Sequence, residues 1–225
     1  MSEPERIRSA QRWRRSGTLA VTAGLLGACL STAALAAPAS ARAAYVSNPA
    51  ALVNPFIGTT DGGNTFPGAD TPFGMIHWSP DTVSRPDGGG YSAVDKDVIG
   101  YSLTHLSGPG CPAEGDVPIL PTVRPLGRDP EAMTEPLDHH RETASPGYYQ
   151  SEAGGVNTQL TTTARSGLAR FTFPATAAAG SLLFKLADSQ TPVSADTFAV
   201  VNDQEVEGSV TTGQFCGSSN TYTLY

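Results

Sequence analysis

After residue 45 the alternation of apolar and polar positions has the two-residue period of half-buried β-strands. It is clearest over 156–164, where Val156 and Leu160 alternate with Asn157 and Gln159. The adjoining Thr161, Thr162 and Thr163 add β-branched propensity. Short apolar runs bounded by Gly, Pro, Asn and Asp predict further strands over 72–79, 98–104, 117–123, 147–152, 167–173 and 181–187. Residues 197–201 and 205–212 predict a hairpin turning at Asn202-Asp203, and 221–225 reads as one more strand. No stretch carries a long helical period, and 129–134 offers at most one turn. The expected fold is all-β, an antiparallel two-sheet β-sandwich. The final strand is followed by no cap or polar tail, so the C-terminus reads as a truncation point with more protein expected beyond it.

Composition sharpens one region. The 225 residues hold 24 Gly and 18 Pro, aperiodic and far above ordinary usage, which signals turns. Twelve of those glycines lie between Gly58 and Gly115, interleaved with Pro55, Pro67, Pro72, Pro80 and Pro109. Glycine permits positive φ and proline fixes φ, so this segment is a series of rigid, specific turns. Phe56, Phe66, Phe73, Trp78, Tyr91 and Tyr101 sit among them. Shaped loops presenting side chains to a ligand have this composition, and so does a loop-rich β domain with no site.

Residues 1–44 read as a signal peptide, apart from the folded domain at 45–225. Arg6, Arg8, Arg12, Arg14 and Arg15 form a basic start, an Ala-rich apolar run spans 19–37, and small-residue cleavage sites surround Ala41. Arg14-Arg15 is compatible with a twin-arginine signal, and Leu26-Gly27-Ala28-Cys29 with a lipobox. The apolar run continues past Cys29, which favours cleavage without a lipid and a secreted product. The net charge of −7 understates the acidity of the rest: the leader's six Arg and two Glu leave eight basic against nineteen acidic residues, a net −11. Such a chain offers no electrostatic footprint to nucleic acid or, once the leader is cleaved, to an anionic membrane.

Candidate chemistry converges on 104–111. Thr104-His105-Leu106-Ser107-Gly108-Pro109-Gly110-Cys111 places a His, a Ser and a Cys in one tight loop. His105 and Ser107 could meet, since residues two apart on an extended strand point the same way, yet no Gly-x-Ser-x-Gly elbow surrounds Ser107. Ligand contact or turn stabilisation is the expected role of His105. His77, His139 and His140 lack metal-ligand spacing. Asp95, Asp97, Glu114 and Asp116 flank the loop, either as a carboxylate cluster for sugar hydroxyls or calcium, or as solvated turn residues. With the leader gone, Cys111 and Cys216 remain. An oxidising compartment would pair them, and a free Cys111 lining the site is the alternative.

A series of ordered motifs carries a resemblance. Val53-Asn-Pro-Phe-Ile-Gly58, Thr65-Phe-Pro-Gly-Ala69, Pro72-Phe-Gly-Met75, Ser79-Pro-Asp-Thr82, Ile99-Gly-Tyr-Ser102 and the 104–111 loop follow one another. Arg165-Ser-Gly-Leu-Ala-Arg-Phe-Thr-Phe-Pro174 and Phe215-Cys-Gly217 come later. Together they resemble the N-terminal domain of glycoside hydrolase family 92, the calcium-dependent exo-α-mannosidases. The resemblance implies a galactose-mutarotase-like supersandwich packed on a larger α-helical domain, with the active site between them. It further implies hydrolysis of α-mannosides with inversion, by a general acid and a general base roughly 6.5–9.5 Å apart.

In the family both carboxylates, and most calcium contacts, belong to the helical domain. No catalytic or metal residue is therefore expected in this chain, and none of its own cofactors. The expected partners are an α-mannoside glycan and the helical domain. The candidate sugar-contacting residues are Tyr91, His105, Ser107, Gly108, Gly110 and Cys111, with Asp61 and Asp95 as weaker candidates. A stand-alone carbohydrate-binding or interaction module is the alternative. Three departures bear on specificity. Asp61-Gly-Gly-Asn64 replaces a His-rich family segment, 83–90 lacks an expected aromatic, and Ala169 stands where His is common.

Overall fold

A computed structural model describes residues 45–60 and 62–225. The expected signal peptide, 1–44, and Asp61 lie outside the described residues. Thirteen strands follow in order: β1 (Ala69–Asp70), β2 (His77–Thr82), β3 (Asp97–Ser102), β4 (Ile119–Thr122), β5 (Glu135–Pro136), β6 (Thr143–Ser145), β7 (Tyr148–Ala153), β8 (Val156–Thr162), β9 (Gly167–Thr172), β10 (Ser181–Phe184), β11 (Ala195–Asn202), β12 (Glu205–Gly213) and β13 (Thr221–Leu224). Three single turns of 3-10 helix complete the described residues, at Pro49–Leu52, His139–Arg141 and Phe215–Gly217. Every pairing is antiparallel. The all-β expectation holds.

One sheet runs β1-β2-β3-β4-β10, with β5 also beside β3; a second runs β6-β7-β8-β9. Their inner faces make the sandwich core. Ala69, Trp78, Tyr101 and Ile119 from the first sheet meet Tyr149 and Leu160 from the second. The Tyr101 hydroxyl bridges to Ser151 Oγ at 2.8 Å, so the polar tip of a fully buried ring is satisfied across the layers. Burial pushes that hydroxyl's pKa up to about 12. A second buried cluster, Tyr91, Val98, Leu120, Leu137 and Ala153, continues the core.

The structure corrects details of the strand reading. β11, β12 and β13 form a third, separate sheet, so the architecture is a sandwich plus a three-stranded ribbon. The hairpin turns after Asn202 as expected, and β13 joins β12. The strand expected over 72–79 starts at His77 and runs on to Thr82. Ahead of it the Gly74 N–H donates to Thr71 O in a turn, and Phe73 takes φ +61, a left-handed value no strand tolerates. The run over 181–187 ends as a strand at Phe184.

Candidate functional site

Three loops meet beside the first sheet: 54–68, 83–96 between β2 and β3, and 103–118 between β3 and β4. Main-chain hydrogen bonds stitch them edge to edge. Gly108 N–H donates to Asn64 O at 2.8 Å and Leu106 N–H to Gly88 O at 3.0 Å. Gln190 adds a side-chain tie. Its Oε1 accepts from the Gly88 N–H at 2.7 Å and the Ala113 N–H at 3.3 Å, and its Nε2 donates to Pro86 O. Glycine is required by contact at Gly88, where a Cβ would lie 2.2 Å from Pro109 Cγ. Gly108 and Gly110, at φ +66 and +72, need glycine for conformation instead, and open space lies before both.

Beneath this face lies a buried charge network. Asp81 and His105 are fully buried. Asp81 accepts from Ser102 Oγ at 2.5 Å, faces His105 Nε2 at 3.5 Å and lies 3.4 Å from Arg85 Nε. Arg85 also binds Asp188 and donates to Gly115 O. Burial alone would raise the Asp81 pKa, but Arg85 and His105 outweigh it and hold the carboxyl below the ordinary carboxylate range. His105 Nδ1 donates to His77 O at 2.8 Å, and His77 Nδ1 returns a bond to His105 O at 2.7 Å. Phe66 packs against both imidazoles, with centroids 5.9 and 5.2 Å away.

Ser102, His105 and Asp81 are the residue types of a hydrolytic triad without its geometry. Serine and carboxylate both face Nε2, Nδ1 is spent on a carbonyl, and all three side chains are sealed from substrate. The network is a clamp for the loops.

The sequence candidates divide accordingly. Ser107, Gly108 and Gly110 are exposed on the loop surface. His105, fully buried beneath them, makes no outward contact. Cys111 forms a disulfide with Cys216, Cα–Cα 5.3 Å, which settles the choice left open by the sequence and ties the loop to the β12–β13 connection. Tyr91 is buried, its hydroxyl donating to Glu142 at 2.9 Å, and its ring closes a hollow of about 110 Å³ bordered by Thr59, Thr60, Asn64, Pro86 and Ser92. Asp95 belongs to a turn, accepting from the Ser84 N–H at 2.8 Å and Oγ at 2.6 Å. Asp61 falls outside the described residues.

The flanking acids do not gather. Asp116 is buried and takes three hydroxyls, Thr104 at 2.9 Å, Ser189 at 2.6 Å and Tyr222 at 2.8 Å. Among the described residues no three His, Cys, Asp or Glu side chains converge on a common point. Calcium takes about six to eight oxygen ligands, and among the described residues no cluster of acidic side chains supplies them.

A further cluster lies under Tyr91. Glu142, nearly buried, also accepts from Tyr149 Oη, and His139 bonds Glu142 through Nδ1 and the Asp95 carbonyl through Nε2. An imidazole set between two acceptors is favoured in its doubly protonated form. Burial works against the charge, but the Asp95 carbonyl and Glu142 outweigh it and raise the His139 pKa. The sequence marks Asp81 only inside the Ser79-Pro-Asp-Thr82 motif, and it does not point to Arg85, Gln190 or Glu142. Arg85 and Gln190 reach partners more than 100 residues away along the chain, and no local signal encodes such a pairing.

Rigid glycine loops on a two-sheet scaffold define an antiparallel β-sandwich domain with a buried charge network beneath its loops. Residues 52–225 match the Glycosyl hydrolase family 92 N-terminal domain, and the chain belongs to that family. It is similar to the solved GH92 α-mannosidase BT3965 from Bacteroides thetaiotaomicron, at 32% identity and TM-score 0.62 over 72% of this chain. It is also similar to the GH92 glycosyl hydrolase ccman5, at 27% identity and TM-score 0.68 over 77% of this chain. A curated relative, an uncharacterized secreted glycosidase of Arthroderma benhamiae, is 29% identical over 142 residues, 59% of this chain and 18% of its own length. The chain spans about a quarter of the two solved enzymes, 24% and 25%.

Proposed function

We propose that this chain is the sandwich half of an exported, inverting exo-α-mannosidase, and that its glycine loops form one wall of the mannoside site. The observation that carries the reading is the stitched face of Asn64, Ser107, Gly108 and Gly110 above the Asp81–Arg85–His105 clamp, in a family 92 domain. A wall of exposed main chain brings fixed amide donors and carbonyl acceptors close to sugar hydroxyls, and a sealed clamp keeps them in place. Tyr91 shapes the adjoining hollow from below. The general acid, the general base and the calcium contacts would come from a helical domain.

The ribbon supports such a partner. Phe198 is 44% exposed and Val200 70%. With Val206, Leu224 and Tyr225, Phe198 borders an apolar cleft of about 270 Å³ against Phe184 and Leu186. Exposed apolar surface of this kind marks a covered face.

The test is hydrolysis of an aryl α-mannoside by the chain, with and without calcium. No turnover is expected from the chain alone, and calcium-dependent turnover once a family 92 helical domain is supplied. Turnover by the chain alone would overturn the assignment of the carboxylates. Mannoside binding without turnover under every condition would favour the module.

A further inference from the structure

Far from the glycine loops in sequence, the outer face of the β6–β9 sheet carries a second organised surface. Strand alternation sends Tyr149, Ser151 and Leu160 into the core and leaves Tyr148, Gln150, Gln159, Leu168 and Arg170 on the opposite face. The register aligns them in rows: Tyr148 opposite Thr161 opposite Leu168, and Gln150 opposite Gln159 opposite Arg170. Strand spacing makes each row about 10 Å wide and sets the two rows about 7 Å apart.

The polar groups are already organised. Tyr148 Oη donates to Gln150 Oε1 at 2.9 Å, and Gln159 Nε2 donates to Tyr148 Oη at 2.9 Å and to Gln150 Oε1 at 3.0 Å. That closed triangle leaves Gln150 Nε2 as a donor and Gln159 Oε1 as an acceptor. Beside it a hollow of about 250 Å³ is lined by Tyr148, Gln159, Thr161, Leu168 and Arg170. Leu168 is 71% exposed. Glu152, the nearest acid along β7, is held by Arg141 at 2.6 Å, so no lattice of ion pairs covers this face. A sheet face that only meets water has no need of an exposed leucine beside amides locked to a tyrosine.

We propose that this platform is a second carbohydrate-binding surface, taking neutral pyranose units of a glycan. A pyranose presents an apolar C–H face and a rim of hydroxyls, each both donor and acceptor. Tyr148 and Leu168 match the first, and Gln150, Gln159 and Arg170 the second. The hollow lies just below the roughly 300–1,000 Å³ of drug-sized sites, in keeping with one sugar residue. A rigid sheet holds these groups without an ordering cost on binding. The motif over 165–174, which the glycine loops do not use, supplies Leu168 and Arg170.

Electrophoresis of the chain through gels containing α-mannan or a neutral β-glucan tests the proposal. Retardation is expected in at least one of these gels. Tyr148→Ala and Gln159→Ala should weaken it roughly tenfold in dissociation constant with the melting temperature unchanged, and Tyr148→Phe less than Tyr148→Ala. Gly108→Val, which obstructs the glycine loop, should still be retarded. A wild-type chain that runs freely in both gels, or Tyr148→Ala retarded like wild type, overturns the platform. Retardation lost in Gly108→Val alone assigns the binding to the loops and overturns the platform too. Loss in Tyr148→Ala alone supports the platform and counts against a loop site that binds unaided.

Discussion

Replacing Arg85 by Met would leave the Asp81 carboxylate buried beside only His105 and Ser102. Breaking a buried ion pair from one side costs about 3–5 kcal/mol, and Arg85→Met is expected to lose about that much in urea unfolding. The acid limb carries the same signature. A carboxyl whose folded pKa is depressed contributes stability above its unfolded value, 3.8 for Asp81, and loses it as pH falls through the lower folded value. Wild-type stability should therefore hold down to about pH 4 and then fall, while in Arg85→Met, where burial of the Asp81 carboxyl is no longer offset by Arg85, that fall should shrink or reverse. The glycines allow a sharper comparison. At Gly108 an added methyl meets open space and costs only the strained φ, about 1 kcal/mol; at Gly90 it would lie 2.5 Å from Asp81 Oδ1 and 3.1 Å from His105. Gly90→Ala should be several-fold more destabilising than Gly108→Ala, and equal melting temperatures for the two would mean that the clamp does not constrain the loop.

Among the elements, two ties hold the site in place. The Cys111–Cys216 bridge closes a separation of 105 residues, for which the chain-entropy estimate is about 4–5 kcal/mol. Cys111→Ser with Cys216→Ser should lower the unfolding free energy by that order, and reductant should then have no further effect on the double variant. The second tie is the 3-10 turn His139–Arg141, whose imidazolium joins Glu142 to the Asp95 carbonyl. A histidine with a raised folded pKa stabilises fully below its unfolded value, 6.5, and the contribution is lost as pH rises through the folded value. Unfolding of His139→Gln across neutral to alkaline pH should lack the decline seen in wild type. Parallel curves would remove the imidazolium from the account.

At the scale of the whole molecule, the ribbon decides behaviour in solution. Every residue of β11 is exposed, and a free edge bearing Phe198 and Val200 is a template for self-association. The isolated chain should associate with rising concentration, and Val200→Lys should shift sedimentation toward the monomer. The sandwich was legible because alternation in β7, β8 and β9 survives in the sequence. β1, β5 and β6 were not, since two or three residues carry no period. The separation of the ribbon into its own sheet was equally hidden, because a hairpin's pattern does not say what lies beside it. The glycine loops were readable through residues whose backbone freedom has few other uses. The clamp below was not: Asp81 sits in a strand, and its partners arrive from elsewhere, Ser102 from the end of the next strand and His105 from the loop after it.

The main-chain character of the loop face has a consequence for how such a protein can change. Point mutations replace side chains, and on the reading proposed above the groups offered to a ligand are peptide amides and carbonyls flanked by glycines at positive φ. New preferences would arise more readily through insertions and deletions that reshape whole turns. Between related chains, divergence should then be recorded in loop length over 54–66 and 83–96 rather than in residue identity, with the clamp passed on unaltered beneath.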